Sequence, residues 1–364
     1  MTTGSGYGLS AVPNAQDQAA PELAWRPPRP RSYSPGIALI GAGGITEFHL
    51  AAYRRMGLPV RVIANRSLER AAARRDQFFS EAAITDSWET AIRHPDVEVV
   101  DIALPTEVRA PVVEAAIAAG KHVLSQKPFA EDLATARRLA DLADRQGVRL
   151  AVNQNGRWAP HFAYLRKAVQ GGLVGDVATI DVQLAFDHSW TVGTPFEEVP
   201  HLVLFDFGIH WFDMVATLLG GRPVETVSAS ATRAHHQTAR PPFLASALLR
   251  GRDFEVRMSF NAATTYGQVD RTTVAGSLGT IVSEGPSLSV QTVRLTTAGG
   301  TSSPVLEGSW FENGFEGAMG ELLCAREEGR EPENSARNNL TTLALAFAAR
   351  DSADRGLPVA LSDG

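Results

Sequence analysis

Apolar positions follow one rhythm in the first part of the chain and another in the rest. From Gly36 to Asn153, short apolar runs alternate with helical patterns. The strand candidates are Ile37–Ile40, Val60–Ala64, a short piece around Ile84, Val97–Leu104, His122–Ser125 and Leu150–Val152. Helices are expected over Ile45–Met56, over Leu68–Phe79 behind a Ser67 cap, over Pro111–Ala119 up to Gly120, and over Leu133–Arg145 between Asp132 and Gly147. Val97–Leu104 is apolar apart from Glu98 and Asp101, as a strand covered on both faces should be. Strands separated by helices predict a doubly wound α/β domain with a parallel sheet and right-handed crossovers.

Beyond residue 155 the period changes. A helix over His161–Val169 runs into Gly171-Gly172, and Val177–Asp187 then alternates strictly. Ile180, Val182, Leu184 and Phe186 share one face, with Thr179, Asp181 and Gln183 on the other. Val224–Thr232, Phe243–Leu249 and Phe254–Phe260 continue in this manner, and Arg250–Asp253 reads as a hairpin loop. These segments predict an α+β domain with a large, mostly antiparallel open sheet and helices on one side. The chain therefore divides into an arm (1–35), a doubly wound first domain (36–155) and a second α+β domain (156–364). The arm is polar and proline-rich, ending in Trp25-Arg26-Pro27-Pro28-Arg29-Pro30-Arg31. It is expected to be flexible or extended, unless Trp25 and its prolines lie over a cofactor site or a partner subunit.

The bulk properties narrow the function. A length of 364 residues suits two domains. A net charge of −6 offers no basic footprint for nucleic acid or an anionic membrane. No apolar run is long enough to span a bilayer, and no signal peptide is evident. The single Cys324 excludes an intrachain disulfide and fits a reducing cytoplasm.

Candidate chemistry sits in three places. The run Ile37–Ile40 breaks into Gly41-Ala42-Gly43-Gly44 and then a helix. In such a turn Gly41 permits the tight bend, and Gly43 lets the backbone approach a pyrophosphate on the helix N-terminus. Thr46 stands where this kind of motif usually has glycine or alanine. Next, Ser125-Gln126-Lys127-Pro128 follows the fifth strand, where the carboxyl ends of a parallel sheet border the ligand crevice, and can place an ammonium beside a nicotinamide. Finally, Leu202–Gly220 is an apolar helical pattern interrupted by Asp206, His210 and Asp213, whose spacings put all three on one face. They could form a catalytic set, a hydrogen-bonded polar strip or a metal site; nicotinamide redox chemistry needs no metal, and none is expected. His188, between Asp187 and Trp190, is either a ligand contact or structural.

Together these motifs resemble the Gfo/Idh/MocA oxidoreductase family, the glucose–fructose oxidoreductase and inositol dehydrogenase group. The resemblance covers about residues 36 to 360. Gly41–Ile45 resembles the cofactor fingerprint, Gln126-Lys127-Pro128 the Glu-Lys-Pro motif, and Asp206–Asp213 the D-x-G-x-H-x-x-D helix. Arg157-Trp158-Ala159-Pro160 resembles an Arg-aromatic-x-Pro segment after the last strand. The resemblance implies a Rossmann domain, an α/β second domain whose open sheet often mediates oligomers, and oxidation or reduction of a sugar, sugar derivative or cyclic polyol by a homodimer or homotetramer. It implies catalysis by Lys127, Asp206 and His210. Cofactor contacts would come from Gly41, Gly43, Gly44, Ile45, Asn65, Arg66, Pro105, Thr106, Gln126, Lys127 and Asn155, and substrate contacts from Lys127, Arg157, His188, Asp206 and His210.

Three departures stand out. Gln126 replaces the usual glutamate and should leave Lys127 with less anionic company. Thr106 and Arg109 replace the family's asparagine and histidine. Strand two ends in Asn65-Arg66-Ser67, without the carboxylate that binds a ribose 2′-OH, which favours NADP slightly over NAD. In the expected mechanism His210 is the base, because imidazole titrates near neutrality. Lys127 stabilises the reacting oxygen, and Asp206 orients the imidazole or contacts the substrate. A non-catalytic dinucleotide-binding regulator and a glycoside-cleaving enzyme with tightly bound NAD remain as alternatives.

Overall fold

A computed structural model of the chain describes residues 16–361. The amino-terminal domain runs β1 (Ile37–Ile40), α1 (Thr46–Met56), β2 (Val60–Ala64), α2 (Leu68–Phe78), β3 (Ala83–Thr85), α3 (Trp88–Ile92), β4 (Val99–Ile102), α4 (Thr106–Ala118), β5 (His122–Gln126), α5 (Leu133–Gln146) and β6 (Leu150–Asn153). The strands form one parallel sheet in the order β3-β2-β1-β4-β5-β6. The order reverses between β1 and β4, so the ligand crevice lies beyond the carboxyl ends of those strands. β1, β4, β5 and β6 are buried at every position, which accounts for their apolar sequences. The caps form as expected. Ser67 accepts the Arg70 N–H at 3.3 Å, and Asp132 accepts that of Thr135 at 2.7 Å.

Two elements here differ from expectation. Helix α3 has no strong pattern in the sequence. Helix α4 begins at Thr106, with Pro111 inside it, rather than at Pro111. A proline biases the preceding residue away from helix, but the buried Arg109 guanidinium binds the Leu104 carbonyl at 3.0 Å and ties down the turn before Pro111.

The second domain contains α6 (Pro160–Gln170), β7 (Val177–Ala185), α7 (Ile209–Leu219), β8 (Thr226–Thr232), β9 (Leu244–Arg250), β10 (Glu255–Asn261), β11 (Val269–Gly276), β12 (Gly279–Gly285), β13 (Thr292–Thr297), β14 (Gly300–Ser302), α8 (Trp310–Glu328), α9 (Ala336–Arg355) and β15 (Val359–Ala360). Its nine strands pair in the order β14-β13-β12-β11-β7-β10-β9-β8-β15. Only β7 and β10 run parallel. Ile180, Val182 and Leu184 are buried on the inner face, as their alternation predicts. The sequence reading did not assign β11 to β15, α8 or α9.

Leu202–Gly220 is not one regular helix. Val203–Phe207 is a π-helical turn, in which Phe207 and Gly208 donate to the carbonyls five residues earlier, at 3.0 and 2.8 Å. A Cβ on Gly208 would stand 2.6 Å from the Leu204 carbonyl, so the wide turn requires glycine there. Helix α7 continues from it to Gly220.

The arm is likewise not a free tail over residues 16–35. Trp25 is buried in the main core, Gln16 and Gln18 bond to Thr301, and Glu327 of α8 accepts the N–H groups of Arg31, Ser32 and Tyr33. The arm packs on its own chain. Residues 1–15, the rest of the expected arm, lie outside the described residues. Helix α8 also crosses the expected domain boundary. Its Phe315, Met319, Leu322 and Leu323 share a buried cluster with Ile37, Leu39 and Leu50, closing one face of the parallel sheet.

Candidate active site

The glycine turn after β1 has the form a pyrophosphate needs. Gly41 has φ +113°, and a Cβ there would lie 2.5 Å from the Ala103 carbonyl, so no other residue fits. Nothing lies within 4 Å of where a Cβ would stand on Gly43 or Gly44. The N–H groups of Gly43, Gly44 and Ile45 donate to no protein acceptor among the described residues. Three such groups ahead of helix α1 make an anion site. Thr46, the departure from the usual motif, is buried and donates its hydroxyl to Gly43 O at 2.6 Å, bracing the turn. At the end of β2, Asn65 donates to Ser67 O at 3.0 Å and Arg66 is exposed. The residues present therefore fit a nicotinamide dinucleotide.

Lys127 follows β5 directly, on a cis Lys127–Pro128 peptide. Its ammonium lies 3.2 Å from the Asp206 carboxylate and donates to the Asp206 carbonyl at 2.8 Å. The π turn of the second domain thus meets the carboxyl edge of the first domain's sheet. Asp206 gives Lys127 an anion where Gln126 gives none. Of the two roles expected for Asp206, orienting the imidazole and contacting the substrate, the first is not formed, since its carboxylate bonds Lys127. Gln126 turns inward and accepts the Lys127 N–H at 2.7 Å.

His210 opens α7 beside this pair, packed edge-on against Trp310 with ring centres 5.6 Å apart. Burial, and then the Lys127 ammonium, push its pKa well below the ordinary histidine value. Its imidazole is therefore neutral at physiological pH, whereas the sequence suggested a group titrating near neutrality. Nδ1 is buried and has no hydrogen-bond partner among the described residues. Nearby, His188 packs on Phe207 at 4.7 Å between ring centres, with Trp190 beyond it. Burial drives His188 down to about 4.

Other expected contacts are engaged elsewhere. Arg157 is buried in a bidentate pair with Asp213 at 2.6 and 2.7 Å and also bonds the Glu333 carbonyl, so most of its donors are committed within the protein. Asp213 also accepts the Thr342 hydroxyl at 2.8 Å. The spacing therefore brings Asp206 and His210 to the site but turns Asp213 into the core. Asn155 is buried and accepts the Trp310 Nε1–H at 3.2 Å. Thr106 and Pro105 begin α4 at the crevice rim, and the Thr106 hydroxyl points to the Pro128 carbonyl at 3.5 Å. Arg109 is buried, and its charge serves the frame. It donates to Gln126 O at 2.5 Å and also bonds Pro128 O. Burial lowers its pKa to about 10, with Asp206 and Glu107 opposing. The sequence reading missed Trp310, which touches His161, His210 and Trp211. The Ser309–Glu312 capping pair in front of it was the available signal.

Comparison with known proteins places the fold in a family. Residues 36–154 match the model of the oxidoreductase family with an NAD-binding Rossmann fold, and residues 162–282 match the GFO/IDH/MocA C-terminal domain. The chain is 27% identical to an inositol 2-dehydrogenase of Rhizobium meliloti, over 86% of this chain and 95% of that one. It is 29% identical to a D-apiose dehydrogenase of Paraburkholderia graminis, over 89% of each. Among solved structures, a levoglucosan dehydrogenase in complex with NADH and levoglucosan shares the fold with TM-score 0.79 at 21% identity, over 91% of this chain and all of that one. An Agrobacterium radiobacter oxidoreductase with NAD+, L-tartaric acid and magnesium gives 0.79 at 23%, over 90% of this chain and 98% of that one. With both domains matched and the Lys127–Asp206–His210 edge in place beside a dinucleotide turn, the chain belongs to the Gfo/Idh/MocA family of NAD(P)-dependent oxidoreductases.

Proposed function

We propose that the protein is a dehydrogenase or reductase acting on a secondary alcohol or ketone of a sugar, sugar derivative or cyclic polyol. The observation that carries this reading is the Lys127 ammonium, held by Asp206 next to a neutral His210 at the carboxyl edge of the parallel sheet. The bound nicotinamide supplies the hydride acceptor or donor. His210 removes the hydroxyl proton during oxidation and returns it during reduction, and its neutrality keeps the base form fully populated. Lys127 donates a hydrogen bond to the same oxygen and stabilises its developing negative charge. Asp206 fixes the ammonium and is free through its other carboxylate oxygen to accept from a neighbouring substrate hydroxyl. The aromatic wall of His188, Phe207 and Trp190 suits the apolar face of a sugar ring.

The same reading takes NADP at least as readily as NAD, since Asn65 does not repel a 2′-phosphate and the exposed Arg66 can pair with it. The open face of the nine-stranded sheet, lined by Ser228, Ser246, Arg257 and Arg271, is its surface for homodimer or homotetramer formation. A screen of myo-inositol, D-apiose, levoglucosan and their keto forms with both cofactors tests the reading. Turnover is expected on a cyclic polyol or sugar, with NAD binding no more than tenfold tighter than NADP. Absence of turnover on the whole panel, in protein that binds cofactor, would contradict the substrate class.

A further inference from the structure

Beneath Lys127 lies a polar chain that the proposed mechanism does not use. His49 of α1 is fully buried, and its Nδ1 stands 2.7 Å from Asp101 Oδ2 of β4. That oxygen also accepts the Tyr53 hydroxyl at 2.6 Å. A carboxylate only accepts, so the imidazole hydrogen belongs on Nδ1 and Nε2 is left as an acceptor. Facing Nε2 are the amide nitrogens of Gln126, at 3.2 Å, and Asn153 of β6, at 3.3 Å. The Lys127 N–H needs the Gln126 oxygen, at 2.7 Å, so the Gln126 NH2 must point at the imidazole. Each orientation is thus set by the one before it. From the opposite side Arg109 holds the carbonyls of Gln126 and Pro128. The Lys127 main chain is gripped between two buried assemblies.

We propose that Gln126 is a positioning residue, and that its amide, wedged between the Asp101–His49 pair and the Lys127 N–H, aims the Lys127 ammonium at Asp206 and the reacting oxygen. This rests on the reading of Lys127 as a catalytic group. An amide at this position donates to His49 and accepts from Lys127 at once, with no added proton, where the family usually has a glutamate. A carboxylate of the same shape accepts from Lys127 but faces the Nε2 lone pair, and needs an added proton, on itself or on His49, to keep the contact. The charged or titratable groups around this contact are Asp101, Tyr53 and Lys127, with the Arg109 guanidinium behind the Gln126 carbonyl. Phe315 packs edge-on against His49 from α8 at 4.6 Å and brings no charge.

The test compares wild type, Gln126→Glu and Gln126→Leu by kcat and KM from pH 6 to about 9.5 on the polyol or sugar found in the screen, with NADH binding followed by fluorescence. Gln126→Leu is expected to lose on the order of 10²-fold in kcat, as for a misplaced catalytic group, with NADH affinity retained. Gln126→Glu, which keeps the acceptor for the Lys127 N–H, is expected to restore much of the kcat lost in Gln126→Leu. An unchanged kcat in Gln126→Leu, or a Gln126→Glu variant no better than Gln126→Leu, overturns the proposal. A separate reading uses the wild-type protein alone: 15N-edited spectra of labelled histidine should show His49 as the neutral Nδ1–H tautomer, and a protonated Nε2 overturns it. That measurement needs no substrate, so failure of the sugar assignment is distinguishable from failure of the positioning role.

Discussion

Burial sets the protonation states on which the site depends. His210 owes its low pKa first to burial and then to Lys127, and three further histidines are also moved below their ordinary range. Burial takes His161 to about 3, and burial with nearby arginines takes His122 to about 4, the value His188 also reaches. In the unfolded chain each would take up a proton near pH ~6.5. Below that pH the unfolded state therefore binds more protons, and stability falls as pH drops from about 6.5 toward 4. Asp270 works the other way. Burial raises it to about 7, so it removes stability as pH rises from its unfolded value. Four histidines outweigh one carboxyl, and calorimetry at pH 8, 6.5 and 5 should show Tm decreasing toward acid. An unchanged Tm over that range would contradict the burial of these imidazoles as neutral groups.

At the level of elements, local signals were legible and distant pairings were not. The glycine turn, the Ser67 and Asp132 caps and the alternation of β7 are written in neighbouring residues, and all form where expected. Arg157 reads as a substrate contact from its motif, yet its partner Asp213 lies far along the chain and holds it in a buried bidentate pair. The Gln126 substitution suggested a lonelier Lys127, because nothing in the sequence shows Gln126 turning inward and Asp206 arriving across the domain boundary. The π turn before α7 was hidden for the same reason: its apolar pattern is helical, and only the close approach of Gly208 to Leu204 O marks the irregularity. The glycine turn gives the sharpest element-scale prediction. Gly41→Ala must place a Cβ at φ +113° against Ala103 O, so the glycine turn is pushed away from the end of β4, at the proposed pyrophosphate site. NADH affinity should fall at least tenfold, while Gly44→Ala, with open space around it, should keep the fold and Tm. Equal affinity in Gly41→Ala and wild type would remove the turn from the cofactor site.

Over the whole molecule, segments distant in sequence join the two domains. Helix α8 closes the parallel sheet, and the arm is pinned by Trp25 in the core and Glu327 on α8. Trp25→Ala should cost about 3–5 kcal/mol of stability, the usual penalty for emptying a buried tryptophan site, with the cofactor constant unchanged because the arm rests away from the glycine turn; denaturant titration reads the first and NADH fluorescence the second. The proposed active site depends on this joining, since Lys127 comes from one domain and Asp206 and His210 from the other. The most direct test of the account is therefore His210→Ala, assayed for kcat on the substrate from the polyol and sugar screen together with NADH binding. The account predicts a loss of ~10²–10⁴-fold in kcat, the usual worth of a general acid–base group, with NADH bound as in wild type. Near-wild-type kcat in that variant would contradict it and leave Lys127 or Asp206 as the group that moves the proton.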